Sequence, residues 1–120
     1  MSWDHTERRQ FVRVKLPCKV TVRDNPRSTI SCYTENISAG GIRVILQERI
    51  KISSSVDLAI ETPKQGPIIC RGRIVWAFSR TADPEGTTML FDTGIEFEAI
   101  NNKDLKTIND LVASILCAEK

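Results

Sequence analysis

Two short runs hold the side chains best suited to recognise an anionic ligand: Arg8-Arg9-Gln10-Phe11-Val12-Arg13 and Asn36-Ile37-Ser38-Ala39-Gly40-Gly41. The first is a cationic cluster set directly before a strongly alternating segment. Arginine's planar fork makes bidentate bonds to phosphate and to the O6/N7 edge of guanine, and its flat face stacks on bases. Lysine would supply charge without the fork. The second run offers the Ser38 hydroxyl, and Gly40 and Gly41 lack a Cβ, which lets backbone approach a ligand closely. Asn36 adds an amide that can pair with a base edge or lock a turn. The chemistry these residues share suits a compact, doubly anionic guanine nucleotide better than a long nucleic acid.

Each run has a plainer reading on its own. Arg-x-x-x-Arg spacing arises by chance in basic sequences, and at a chain start it is commonly a solvated tail. A Ser-Ala-Gly-Gly stretch is commonly a strand connection. Asn36-Ile37-Ser38 also matches a glycosylation sequon, which matters only in a secreted eukaryotic chain. Context is what joins the two runs. The cluster abuts a strand, the turn sits between strands, and the length between them suits one strand and its return.

The elements that must position these residues follow from hydropathy period. Residues 1–10 are polar apart from Trp3 and are expected to form a basic arm, mobile until an anion orders it. Val12, Val14, Leu16, Cys18, Val20 and Val22 then alternate with polar residues, a period-two strand signal with Pro17 on the outward phase. A second strand is expected over residues 29–36, running into a turn at Asn36. Ile42, Val44 and Leu46 form a third strand, and Val56, Leu58 and Ile60 a fourth. The fifth carries Ile68, Cys70, Ile74, Trp76 and Phe78 on one phase. The sixth carries Met89, Phe91, Ile95, Phe97 and Ala99. The period then becomes helical through Leu105, Ile108, Leu111, Val112, Ile115 and Leu116, with Asn101 or Asn102 as N-cap. Six one-sided strands favour a small closed antiparallel barrel, since closure removes exposed edges. The helix, over about 102–117, is expected to plug or flank one opening of a barrel over about 11–100.

At 120 residues the chain supports one core. Its 41% hydrophobic and 27% charged content reads as soluble and globular, and a net charge of +2 argues against general nucleic-acid binding. The charge is uneven. Arg8, Arg9, Arg13, Lys15, Lys19 and Arg23 face only Asp4 and Glu7 in the first 23 residues. Cys18, Cys32, Cys70 and Cys117 are widely spaced and there is one histidine, so no metal site is expected. No apolar run reaches the ~18 residues of a membrane span, and no signal segment is visible. A cytoplasmic, reduced setting is expected.

In their order and separation, the two runs resemble the RxxxR and [D/N]xSxxG pair of the PilZ domain family, bacterial receptors for cyclic di-GMP. Gly72-Arg73-Ile74-Val75-Trp76 and Gly94-Ile95-Glu96-Phe97 resemble the family's later strands, so the likeness runs from Glu7 into the helix. The resemblance implies an all-β fold, a six-stranded barrel with a C-terminal helix, in a stand-alone PilZ domain over 11–120. It implies that Arg9 and Arg13 grip phosphate and guanine, while Asn36, Ser38, Gly40 and Gly41 meet a guanine from the barrel wall. Arg8 before the pair resembles members that take up two intercalated cyclic di-GMP molecules. Asn36 stands where many members have Asp, keeping an acceptor but losing the charge. Trp76 is a further candidate ligand contact, approaching from the barrel surface, although its phase with Ile74 and Phe78 is that of a core residue. Arg43, Arg71 and Arg73 read as solvated outward positions.

Other classes fit less well. A catalyst would need a nucleophile with a base, or paired acids in a pocket. The single histidine, His5, lies in the arm and no such set is visible, so no enzymatic activity is expected. An oligonucleotide-binding barrel would want exposed aromatics on a basic face, whereas the 6% aromatics fall mostly on the buried phase. The alternative from within the resemblance is an interaction module that does not bind nucleotide. As a receptor without an output module of its own, the domain would act on an unidentified protein of motility, pili, exopolysaccharide or transcription machinery.

Overall fold

The computed structural model describes residues 14–25, 28–63 and 66–118. Six strands follow in order: β1 Lys19–Asn25, β2 Ser28–Ser38, β3 Gly41–Leu46, β4 Ser55–Thr62, β5 Gly66–Thr81 and β6 Met89–Ala99. A helix, α1, spans Asn102–Ala118. Every strand pair is antiparallel, and the order β1-β2-β3-β6-β5-β4 closes into a barrel through pairing of β1 with β4. Closure satisfies the ladder donors and acceptors that an open sheet would leave at its edges.

The alternating apolar residues line the interior. Val20, Val22, Ile42, Val44, Leu46, Leu58, Ile60, Ile68 and Ile74 are all buried, in one continuous core. Burying side chains of this size stabilises the fold by roughly 1.5–3 kcal/mol each, before chain entropy is charged against it. Cys18 and Cys70 sit in this core as small hydrophobes. Helix α1 begins where expected. The Asn101 side-chain oxygen accepts the Asp104 N–H at 2.7 Å, satisfying one of the unpaired donors of the first turn. Its apolar stripe brings Ile108 and Val112 into the barrel core against β2, while Leu116 stays exposed. No helix among the described residues is long and apolar enough to cross a membrane.

Three expectations are corrected. The first strand begins at Lys19 rather than near Val12, because Pro17 has no N–H and Thr34 intervenes. The Thr34 hydroxyl donates to the Leu16 carbonyl at 2.5 Å and accepts the Cys18 N–H at 2.9 Å, replacing ladder bonds. The core phase still survives upstream, with Val14 and Cys18 buried. The second strand runs to Ser38, so Asn36 lies within β2 and the turn is Ala39-Gly40. Finally, Trp76 and Phe78 leave the inward phase: Ala77 is buried between them, and Phe78 is 66% exposed.

Candidate functional site

Two of the three bulges in the outer wall of β2, β3, β6 and β5 aim its central side chains. The β2–β3 register shifts between Thr34 and Asn36, and the β5–β6 register shifts between Ile74 and Trp76. A bulge adds one unpaired residue and re-aims the side chains beyond it. Glu35 and Val75 are those residues. Thr34 and Ile37 are therefore both buried although three apart, as are Ile74 and Ala77. Asn36 and Trp76 turn to the outside. The resulting register sets Asn36 against Arg43, Arg43 against Gly94, and Gly94 against Trp76. This makes one row across four strands.

Each member of the row has a local cause. Gly94 has no side chain because the Trp76 indole lies over it. A Cβ there would stand 2.3 Å from Trp76 Cε2 and Nε1. Phe78 extends the aromatic surface, its ring centroid 5.5 Å from that of Trp76. Arg43 is held by a bidentate pair, Nε to Asp92 Oδ1 at 2.7 Å and Nη2 to Asp92 Oδ2 at 2.6 Å. Hydrogen bonding to the Arg43 guanidinium keeps the Asp92 carboxyl below the usual carboxylate range, and the same bond raises Arg43. Charge-assisted bidentate bonds of this kind fix orientation as well as adding energy. Arg73 and Glu96, in the next row, pair more loosely at 3.2 Å.

The turn that closes β2 onto β3 serves the barrel first. The Gly40 N–H donates to Ser38 Oγ at 3.1 Å, and Ser38 is 1% exposed. The Gly40 carbonyl accepts the Phe97 N–H at 2.9 Å. A Cβ on Gly41 would stand 2.2 Å from the Ile95 carbonyl oxygen, so glycine here answers the close approach of β6. That need was read from the sequence as room for a ligand.

Of the expected site residues, Arg8, Arg9 and Arg13 lie outside the described residues. Asn36, Ser38, Gly40 and Gly41 gather at one end of the wall, and Trp76 lies across it on β5. Val14, which follows Arg13, donates to the Ile37 carbonyl at 3.1 Å and accepts the Ile37 N–H at 3.0 Å. The Arg43–Asp92 pair was missed. Its signal was opposite charges on the outward phases of two strands, but β3 and β6 are not consecutive in sequence and are paired only in the fold. A cavity of about 280 Å³ lies instead among outward positions of β1, β4 and β5, with Thr21, Arg23, Asp57 and Ile69 in its lining. None of the row residues lines it.

Comparison with known proteins agrees with this architecture. The chain is similar to the Bacillus subtilis inhibitor of motility MotI (DgrA), with 22% identity and a TM-score of 0.77, over 92% of this chain and 52% of that one. It is similar to the PilZ domain of Escherichia coli YcgR with c-di-GMP, with 13% identity and a TM-score of 0.74, over 93% and 94% of the two chains. K. pneumonia MrkH in its apo state matches with 14% identity and a TM-score of 0.76, over 92% of this chain and 52% of that one. The chain thus spans about half the length of the MotI and MrkH chains. No curated protein matches it by sequence. The sequence profile described as PilZ domain matches residues 7–114, and with the closed six-stranded barrel and its following helix this chain belongs to the PilZ domain family.

Proposed function

We propose that this domain is a cyclic di-GMP receptor, with the ligand held between the arginines of residues 8–13 and the outer wall of β2, β3, β6 and β5. The observation that carries this reading is the bridge between Val14 and Ile37. Val14 adjoins Arg13 in sequence, and Ile37 lies between Asn36 and Ser38, which supports reading the two motifs as parts of one site.

In this reading Arg9 and Arg13 take phosphate and guanine through their forks. Arg8 supplies a third fork, which would suit a stacked pair of ligands. Asn36 offers an amide to a base edge, the Ser38–Gly41 turn supplies backbone to a second surface, and Trp76 offers a flat ring at the far side. Neutralising the arginine cluster lets the arm close over the wall, and an unidentified partner protein reads the changed surface. The domain acts as a regulatory binding module with no chemical step of its own. YcgR has been seen with c-di-GMP, which lends support through the shared fold.

The test is calorimetric titration of cyclic di-GMP into the wild-type chain and into Arg9→Ala/Arg13→Ala, with GTP as control. Saturable binding near two ligands per chain, lost in the double variant and absent for GTP, is the expected result. A folded wild-type protein that gives no heat would overturn the receptor reading in favour of a protein-interaction module.

A further inference from the structure

Asp92 engages Arg43 side-on, through Nε and Nη2. A guanidinium carries five N–H donors in a rigid fork. The side-on pair uses Nε–H and one hydrogen of Nη2, which leaves both Nη1 hydrogens and the second on Nη2. Among the described residues nothing accepts them. Those end-on donors form the fork that matches the O6/N7 edge of guanine.

Three further observations bear on what this fork is for. Asp92 already neutralises Arg43, and the exposed Glu35 adds to the negative field around it. The group therefore offers direction more than net charge, which suits the neutral acceptors of a base better than a phosphate. Second, Arg43 sits in the row between Asn36 and Gly94, and the indole of Trp76 covers Gly94. A planar base lying on this row would have a flat ring under one part and directional donors at its edge. Third, the side chain is one-third exposed yet fixed by two short bonds, so little freedom is left to lose on binding.

We propose that Arg43, oriented by Asp92, is a specificity-determining residue that reads the O6/N7 edge of a guanine seated on the Asn36–Arg43–Trp76 row. The inference rests on the cyclic di-GMP reading and names a contact that the two sequence motifs do not contain. Asp92 is a positioning residue in this scheme, because it acts through Arg43.

The experiment is a chemical cycle, read by calorimetry with thermal melts recorded alongside. Wild type, Arg43→Ala, Arg43→Lys and Asp92→Asn are each titrated with cyclic di-GMP, with its hypoxanthine analogue and with its 7-deazaguanine analogue. Arg43→Ala and Arg43→Lys should each weaken cyclic di-GMP binding roughly 10- to 100-fold, the range expected for one bidentate base contact. Asp92→Asn should give a smaller loss. The hypoxanthine analogue keeps O6 and N7, so Arg43→Ala should cost it the same factor. The deaza analogue lacks N7 but keeps O6; it should bind wild type more weakly and should lose a smaller factor than cyclic di-GMP on Arg43→Ala. Arg43→Lys binding like wild type, or deaza and Arg43→Ala penalties that simply multiply, would overturn the proposal while leaving the receptor reading intact. Wild type that fails to bind cyclic di-GMP at all would overturn both. Should Arg43→Ala melt early, Arg43→Lys carries the same cycle.

Discussion

Val14 and Ile37 exchange both of their backbone hydrogen bonds, at 3.1 and 3.0 Å, in an isolated bridge that joins residue 14, ahead of β1, to β2. Both side chains are buried in the barrel core. Val14 is thereby fastened to β2 close to the turn, by a pair of bonds that water cannot easily compete for.

Thr34 maintains this junction, and its hydroxyl should matter to binding as well as to folding. It bonds the Leu16 carbonyl and the Cys18 N–H while its own N–H donates to the Cys18 carbonyl. Thr34→Val keeps the shape but removes the hydroxyl partner of the part-buried Leu16 carbonyl and of the buried Cys18 N–H. Each such loss costs roughly 1–3 kcal/mol, so the variant should be about 2–3 kcal/mol less stable. A thermal midpoint lowered by roughly 10 °C is expected for a domain of this size. Cyclic di-GMP affinity should fall in the same variant, because the segment leading to Val14 loses its support. Unchanged affinity in a folded Thr34→Val protein would separate the junction from the site.

The two wall glycines should respond differently to a methyl group. On Gly41 the added Cβ meets the Ile95 carbonyl and the Glu96 Cα, both backbone, so β3 and β6 must separate. Gly41→Ala should lose about 3 kcal/mol or more, at the upper end of overpacking penalties. On Gly94 the obstacle is the Trp76 ring, which can swing outward. Gly94→Ala should cost about 1–2 kcal/mol and move Trp76 emission to longer wavelength in a Trp3→Phe background. Equal melting points for the two variants would contradict this account of which neighbour is rigid.

How much of this was legible in the sequence depends on the range of the interaction. Val20, Val22, Leu58, Ile60 and Ile74 declared their burial by period alone, and Asn101 its cap by type and position, because these signals are local. Trp76 and Phe78 were read on the wrong phase. A bulge at Val75 changes no residue type and shows only in the pairing with β6. The late start of β1 was hidden for a related reason, since the Thr34 hydroxyl that replaces the ladder lies on another strand. Asp92 acquires its meaning only when β3 meets β6.

Thiol reactivity gives a check on the barrel interior that needs no ligand. Burial pushes Cys32 and Cys70 up to about 11, and raises Cys18 as well. Since the thiolate is the nucleophile, these three should be nearly inert at pH 8. Cys117 is exposed on α1 and should react first with an aromatic disulfide reagent. One fast thiol in the native protein, abolished by Cys117→Ser, and four after denaturation is the expected pattern. A second fast thiol in the native protein would mean that the core opens near Cys32 or Cys70.

Acid should test the Arg43–Asp92 pair directly, and the sign follows from the carboxyl. Its folded value is depressed, first by the hydrogen bond from Arg43. The stabilisation is therefore fully present above the ordinary aspartate range and is lost as pH falls through it toward the lower folded value. At neutral pH, Asp92→Asn should be about 1 kcal/mol less stable than wild type, the upper range for a pair that is partly open to solvent. As pH falls below the ordinary aspartate range and through the lower folded value, the two proteins should converge, because the wild-type carboxyl is then being protonated. Denaturant melts across this interval, run at constant ionic strength, measure the difference. A gap that stays as wide throughout the acid limb as at neutral pH would assign the loss to packing of the side chain, and Arg43 would then not owe its orientation to the charge on Asp92.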